Sequence, residues 1–366
     1  MDAQTQQERE RQIKQRFDRF IHKQRVHMYK PIQVAEILYR VRQGNLKMDD
    51  LANREKYRNP SKRWRDEITR RLVGRVSTSS QKFQDNLFEE NAVPPALLQQ
   101  LAEINQRYNG VVERYIYQQF AKRLRFIFQV RQSLQVAPEQ FSFREFLARF
   151  SEDALKRSID KAYEISVYAL LNALLDELRI SVEVSVDSDR LSSYKEFSDL
   201  ITLLIGLTPE RSRRSVPARL FRAGVANAAD RGIDMWANFG LVVQVKHITL
   251  SEEIAEDVAD DTTADEIVIV CRDADAQTIE RVAAQLGHRI KGVIQESQLV
   301  SWYEVAFEPE YAATLGRKIL DNLIREFDDE FPFSRPEYQA NFESFYKERG
   351  YDQIQAQGCV FFEPDG

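Results

Sequence analysis

Along most of this chain apolar residues recur at helical spacing, but in the middle they alternate or run together as strands do. Residues 5–30 are very polar and read as a helix with a frayed end. Pro31 opens an amphipathic helix, Ile32-Gln33-Val34-Ala35-Glu36-Ile37-Leu38-Tyr39, which stops near Gly44-Asn45. Proline suits a first helical turn, where its missing N–H would have had no partner. Pro60-Ser61 starts another helix, with Trp64, Ile68 and Leu72 at helical spacing, Arg63, Arg65, Arg70 and Arg71 around them, and Gly74 at its end. A hydroxyl-rich loop follows, Val76-Ser77-Thr78-Ser79-Ser80-Gln81-Lys82. After the break at Pro94-Pro95, residues 96–131 are helical again.

Near Pro138 the pattern changes. Residues 153–178 read as a long helix, apolar on most sides from Ile159 to Leu175 and therefore buried, with Glu164 as its only acid between Lys161 and Leu175. Ser181 to Val186 alternates as a half-buried strand. A helical stretch near 192–206 leads to a basic loop, Arg211-Ser212-Arg213-Arg214-Ser215. Residues 218–223 read as a strand ending at Gly224. Ser251 caps an acidic helix, Glu266 to Cys271 is a β-branched run suited to a buried central strand, residues 275–286 carry a helical stripe, and Arg289 to Ile294 is a short strand. Strand, helix, strand, helix, strand in this order predicts an α/β fold, a mixed β-sheet flanked by helices.

Between these elements lies a hairpin, Gly232-Ile233-Asp234-Met235-Trp236-Ala237-Asn238-Phe239-Gly240-Leu241-Val242-Val243-Gln244-Val245-Lys246-His247. A three-residue loop, Asn238-Phe239-Gly240, with glycine in the left-handed position pairs Ala237 with Leu241. Asp234 then pairs with Gln244 on one face, and Lys246 is its diagonal neighbour there. A two- or four-residue loop would move Asp234 to the other face. A lysine on an otherwise apolar strand is costly without an anion. An acid and a lysine gathered at such a hairpin suggest a metal beside a phosphate, which is nuclease chemistry. Mg²⁺ takes hard oxygens and keeps several waters. Asp234, the side-chain carbonyl of Gln244 and the backbone carbonyl of Val245 are its candidate ligands. Lys246 would orient the attacking water and balance charge on the phosphate, with Glu164 completing the surroundings. Asp230 is the rival acid, although it also suits a turn before Arg231-Gly232.

Composition narrows the rest. No run of about 18 apolar residues is present, so no membrane span is expected. The N-terminus lacks the apolar core of a signal peptide, and two cysteines give no disulfide framework, so a cytoplasmic location is expected. With four histidines and two cysteines, zinc clusters are excluded, and His22 and His27 read as surface residues. Residues 1–75 hold 20 Lys+Arg against 10 Asp+Glu, and the remainder holds 32 against 47, so the net charge of −5 conceals a basic first part suited to a polyanion. No Gly-x-Gly or Gly-x-Ser-x-Gly occurs, and Gly287 to Gly292 imitates a P-loop but is followed by Val293 where lysine is required.

The segments Arg25 to Arg40, Ser61 to Glu67, Gly74 to Phe88 and Asn227 to Leu250 resemble the HaeII family of type II restriction endonucleases. The resemblance implies the PD-(D/E)xK fold, Mg²⁺ dependence, and cleavage of double-stranded DNA within a GCGC-centred palindrome flanked by a purine and a pyrimidine. It places the motif acid at Asp234 and the motif lysine at Lys246. The chain departs from the general pattern at Ile233, where proline precedes the acid, and at Gln244, which replaces the second acid. The expected organisation is a helical, basic region at 1–137 that embraces DNA, a catalytic core at 138–300 and a helical extension at 301–366. Candidate DNA contacts are Arg63, Arg65, Arg75, Ser77, Ser79, Lys82, Arg211, Arg213 and Arg214. A palindromic target implies a homodimer, and a restriction enzyme implies a cognate DNA methyltransferase. A DNA-binding protein with a merely structural hairpin, or a structure-specific repair or junction nuclease, are the alternatives.

Overall fold

The structure, a computed structural model, describes residues 3–150, 155, 158–208, 210–223, 233–264 and 266–362. The chain forms two compact units. One comprises Met1–Ala162 with Ile324–Gly366, and the other Tyr163–Ala223 with Ala229–Leu323. These differ from the three segments expected from sequence: residues 301–323 belong with the sheet, while the last residues belong with the N-terminal helices.

The first unit is helical. It contains α1 (Ala3–His22), α2 (Tyr29–Arg42), α3 (Arg58–Val73), α4 (Gln81–Asp85), α5 (Pro95–Arg107), α6 (Val111–Ser133) and α7 (Phe143–Arg149). Pro31 sits in the first turn of α2, and Gly74 closes α3 in the left-handed conformation, φ 81°. The single helix expected over 96–131 is two, because Asn109 and Gly110 both take positive φ and turn the chain. The C-terminal residues are held here by ion pairs. Arg349 reaches Glu36 at 3.0 Å, and Arg131 meets Asp328 at 2.7 Å. Glu36, 1% exposed, also accepts from the Tyr117 hydroxyl, yet burial outweighs both partners and pushes its carboxyl up.

The second unit runs through α8 (Ile159–Glu177), β1 (Ser181–Ser185), α9 (Ser188–Ser193), α10 (Ser198–Ile205), β2 (Arg213–Pro217), β3 (Leu220–Arg222), β4 (Met235–Ala237) and β5 (Leu241–Thr249). It continues through α11 (Glu252–Asp261), β6 (Glu266–Asp273), α12 (Ala276–Leu286), β7 (Ile290–Gln295), α13 (Glu296–Ala306) and the start of α14 (Arg317–Glu330); α15 (Pro336–Glu348) follows in the first unit. β3-β4-β5-β6-β7 form a mixed sheet, antiparallel as far as β5 and parallel from β5 to β7. This is the expected α/β architecture, with a restriction-endonuclease-like core. One face of the sheet carries Ile267, Ile269, Cys271 and Ile290 into an apolar cluster with Ala255, Val258 and Val282 of α11 and α12. The opposite face buries Met235, Val243 and Val270, and there His247 meets Tyr163 of α8 and Glu296 of α13.

Two expectations need correction. The basic loop at 211–215 is largely a strand, since β2 pairs antiparallel with β1, and backbone pairing rather than side-chain charge decides its conformation. The alternating segment at 181–186 is a strand too, but less covered than expected: Val182 and Val186 are partly buried, and the rest of β1 and most of β2 are exposed.

Candidate active site

The β4–β5 hairpin is built by its turn. Gly240 adopts φ 93°, and its N–H donates to the Ala237 carbonyl, giving the three-residue loop. The observed pairs, Met235 with Val243 and Trp236 with Val242, are in the register expected from sequence. One step further, at Asp234, the strands have stopped pairing. There the Asp234 carboxylate accepts the Val245 N–H at 2.8 Å, so a side chain satisfies an amide on the opposite strand. The Asp234 carbonyl accepts from the Ala223 N–H on its other side. Asp234 is thus anchored by its backbone and one carboxylate oxygen directly between Gln244 and Lys246 in the facing strand.

Gln244 and Lys246 pair with Ile269 and Cys271 of β6, so they lie on the sheet face covered by α11 and α12. On β3 and β4 the same face is open. Phe221 and Trp236, paired across those strands, stack at 5.7 Å and stay 39% and 42% exposed. The candidate residues therefore stand at a border, with a closed apolar layer on one side and exposed aromatic surface on the other. Gln244 is 4% exposed, and its Oε1 has no hydrogen-bond partner among the described residues. A buried carbonyl without a partner costs about 1–3 kcal/mol, a cost that a ligand at this oxygen would relieve. Lys246 is half-buried and makes no hydrogen bond or ion pair with the described residues. One carboxylate and one unpartnered amide oxygen are hard donors that fit Mg²⁺. No group of three or more His, Cys, Asp or Glu suited to a metal occurs among the described residues, so the donor set is lean in acids.

Glu164 is placed differently. Buried on α8, it pairs with Arg222 of β3 at 3.8 Å. Arg222 is in register with Met235, which puts it on the sheet face opposite Gln244 and Lys246. Asp230, Arg231 and Gly232 lie outside the described residues. So does Gly224, the expected strand end.

The candidate DNA contacts divide sharply. Arg63 and Lys82 are exposed. Arg65 is 1% exposed and spends its guanidinium internally, on Asp66 Oδ1 at 2.8 and 2.6 Å, Gln33 Oε1 at 3.1 Å and Gln84 Oε1 at 3.0 Å. It cannot reach a nucleic acid from there. Gln84 in turn donates to the Ser79 carbonyl at 2.6 Å, so Arg65 braces the hydroxyl loop instead. Arg75 is partly buried, with its guanidinium against His27, the Glu330 carbonyl and the Glu330 carboxylate. His27 itself, read as a surface residue, is 8% exposed and packed against Tyr29, Phe331 and Phe333. Ser77 Oγ accepts from the Ser79 N–H, while Thr78 and Ser80 are exposed. Arg211, Arg213 and Arg214 are exposed, with Arg213 3.7 Å from Glu183 and Arg214 donating to the Ile205 carbonyl. Sequence reasoning passed over the Phe221–Trp236 pair, although a period of two from Asp234 reaches Trp236 directly.

A mixed sheet between helices, with an acid and a glutamine–lysine pair where its hairpin opens, has the form of a restriction-endonuclease core. Comparison with known proteins agrees. The family model for the HaeII restriction endonuclease matches residues 13–351. The type II restriction enzyme NgoBI of Neisseria gonorrhoeae is 46% identical over 351 residues, 94% of this chain and 97% of that protein. The type II restriction enzyme HaeII of Haemophilus aegyptius is 43% identical over 347 residues, 93% and 96% of the two chains. No solved structure matches. The chain belongs to the HaeII restriction endonuclease family and is an endonuclease of the type II restriction class. No helix among the described residues is long and apolar enough to cross a membrane.

Proposed function

We propose that the protein is a Mg²⁺-dependent, site-specific endonuclease that hydrolyses double-stranded DNA where the β4–β5 hairpin opens. One observation carries the proposal: an anchored carboxylate flanked in the facing strand by a buried Gln244 Oε1 and a lysine that have no partner among the described residues. Asp234 and Gln244 would hold the ion, with the Val245 carbonyl as a further candidate. Bound there, Mg²⁺ supplies a water of lowered pKa and a positive charge for the scissile phosphate. The Asp234 carboxylate is oriented by the Val245 amide, which limits the reorganisation that binding would cost. Lys246 takes the phosphate as its missing anion and positions the attacking water, its ammonium offsetting the charge that develops on phosphorus. The exposed Phe221–Trp236 pair gives the substrate an apolar rim. Glu164, on the other face, serves by holding Arg222 under the sheet rather than as a ligand.

The proposed target is the GCGC-centred palindrome that the family resemblance implies, read by exposed arginines such as Arg63, since Arg pairs bidentately with guanine O6 and N7. A two-fold target suits a homodimer, and cutting of unmodified DNA calls for a partner methyltransferase.

The test is digestion of plasmid by purified wild type and Lys246→Ala, followed by run-off sequencing. The wild type should give discrete bands only with Mg²⁺, and the variant should be slower by about 100-fold or more. A variant that cuts at the wild-type rate refutes the site. A wild type that binds but never cuts would make the protein a non-catalytic DNA binder, and nicking confined to branched substrates would make it a junction nuclease.

A further inference from the structure

The segment between β1 and β2 presents a helix with its apolar stripe facing water. Tyr194 and Phe197 are each 54% exposed, Leu200 50%, Leu203 82%, Leu204 72% and Ile205 43%. Phe197, Leu200 and Leu204 follow a spacing of three and four, the pattern that ordinarily faces a core. Here no described residue covers it. The helix is nonetheless well made: Gly206 ends it in the left-handed conformation, φ 71°, and Arg214 donates to the Ile205 carbonyl at 3.2 Å. Beside it, β1 and β2 form a ribbon of two strands only. Such a ribbon is marginal in water unless something packs on it.

We propose that this surface is the dimer interface, and that a second copy of the same chain covers it about a two-fold axis. The exposed apolar side chains offer on the order of 600 Å² of surface, at the upper end of what a typical monomer leaves as its largest patch and about three-quarters of the roughly 800 Å² per partner of a stable interface. The rim carries both signs of charge, with Asp189, Glu196 and Asp199 beside Arg190, Lys195 and Arg211, all exposed. In a two-fold contact each residue meets the counterpart of its neighbour, so a patch of mixed sign complements itself. The same acids and leucines make it a poor phosphate surface. Arg211, Arg213 and Arg214 are therefore assigned to this interface rather than to DNA. The inference rests on the palindrome-cutting proposal only for its purpose, one active site per strand; the surface argument stands without it.

Sedimentation velocity on the full chain without DNA tests it, over nanomolar to micromolar protein. The wild type should be a dimer. Leu203→Asp with Leu204→Asp, and separately the milder Leu203→Ser, should weaken dimerisation, the double variant by roughly a hundredfold or more. Neither should move the melting temperature of the monomer, because both side chains stand mostly in water. Should the aspartates lower the melt, Leu203→Ser decides alone. A wild type that is monomeric throughout, or variants that dimerise as tightly as wild type, overturns the proposal. Lys246→Ala separates the two proposals: it should dimerise normally and fail to cut. A protein that dimerises through this patch but never cleaves DNA leaves the interface intact and refutes the nuclease site instead.

Discussion

Replacing Gln244 by methionine is expected to stabilise the metal-free protein while disabling it. Gln244 is 4% exposed and its Oε1 has no partner among the described residues, so the folded state carries an acceptor that water would have satisfied. That penalty is about 1–3 kcal/mol. Methionine has nearly the same length and no polar atom, and volume-conserving exchanges of this kind cost less than about 1.5 kcal/mol. The two together predict no loss of stability and a gain of about 1 kcal/mol in chelator-treated protein. Mg²⁺ reverses the order. A ligand at a hundred times its dissociation constant stabilises the native state by about 2.7 kcal/mol, and the wild type should show a rising melting temperature on titration while Gln244→Met shows a much weaker rise. Plasmid cleavage by the variant should fall by two orders of magnitude or so, in line with loss of a group that places charge at the reacting phosphate. Thermal melts with and without Mg²⁺ read the first two effects independently of activity. A variant that is less stable than wild type without metal by 1 kcal/mol or more, or that keeps the wild-type Mg²⁺ midpoint, would refute the reasoning, because Oε1 would then be satisfied within the protein.

Two further predictions separate folding from recognition. Arg65→Met should lower stability by about 3–5 kcal/mol, as loss of one partner from a buried charged network does, whereas Arg63→Ala should leave the denaturation midpoint unchanged and weaken DNA binding; chemical denaturation and a filter-binding titration check the pair. His27 is held neutral, well below its usual 6.5, by burial first and by the facing Arg75 second, so below pH 6.5 the unfolded chain takes a proton that the folded one refuses. Stability from this group is complete above pH 6.5 and falls by about 1.4 kcal/mol per pH unit beneath it; melts between pH 5 and 7 should be flatter for His27→Gln, and an unchanged slope would sink the assignment.

What the sequence could and could not convey follows from the range of the forces involved. The hairpin register was legible because a local device sets it: a glycine at the left-handed position of a three-residue loop fixes which residues oppose each other. The order of strands and helices from β5 to β7 was legible for a similar reason, since each element declares its own period. The fate of individual arginines was not. On α3 the buried stripe runs through Ser61, Arg65, Ile68 and Leu72, so position alone put Arg65 inside, but its charge argued for solvent. Its burial is tolerable because Gln33 and Gln84, 32 and 19 residues away, join the adjacent Asp66 around its guanidinium. His27 was misread likewise, because Phe331 and Phe333 come from the far end of the chain.

The alternating segment 181–186 failed in a more telling way. Alternation reports that a strand has two different faces; it does not report which molecule covers the apolar one. In this chain the strand forms but its valines are only partly covered, and the leucines of α10 beside them stand in water. Two patterns of different period, one of strand and one of helix, thus specify burial in the same stretch and receive only part of it from the described residues. Chance exposure of a single leucine needs no explanation, but agreement between two periods does. The hairpin presents the converse case. Gln244 obtains burial and Lys246 an apolar strand, but among the described residues the oxygen of the first has no partner and the second no anion. In both places the fold leaves a specific valence open, apolar area in one and a polar contact in the other. On the two proposals above, a second subunit would fill the first and a metal-bound phosphodiester the second, the pair of partners that a two-fold DNA-cutting enzyme requires.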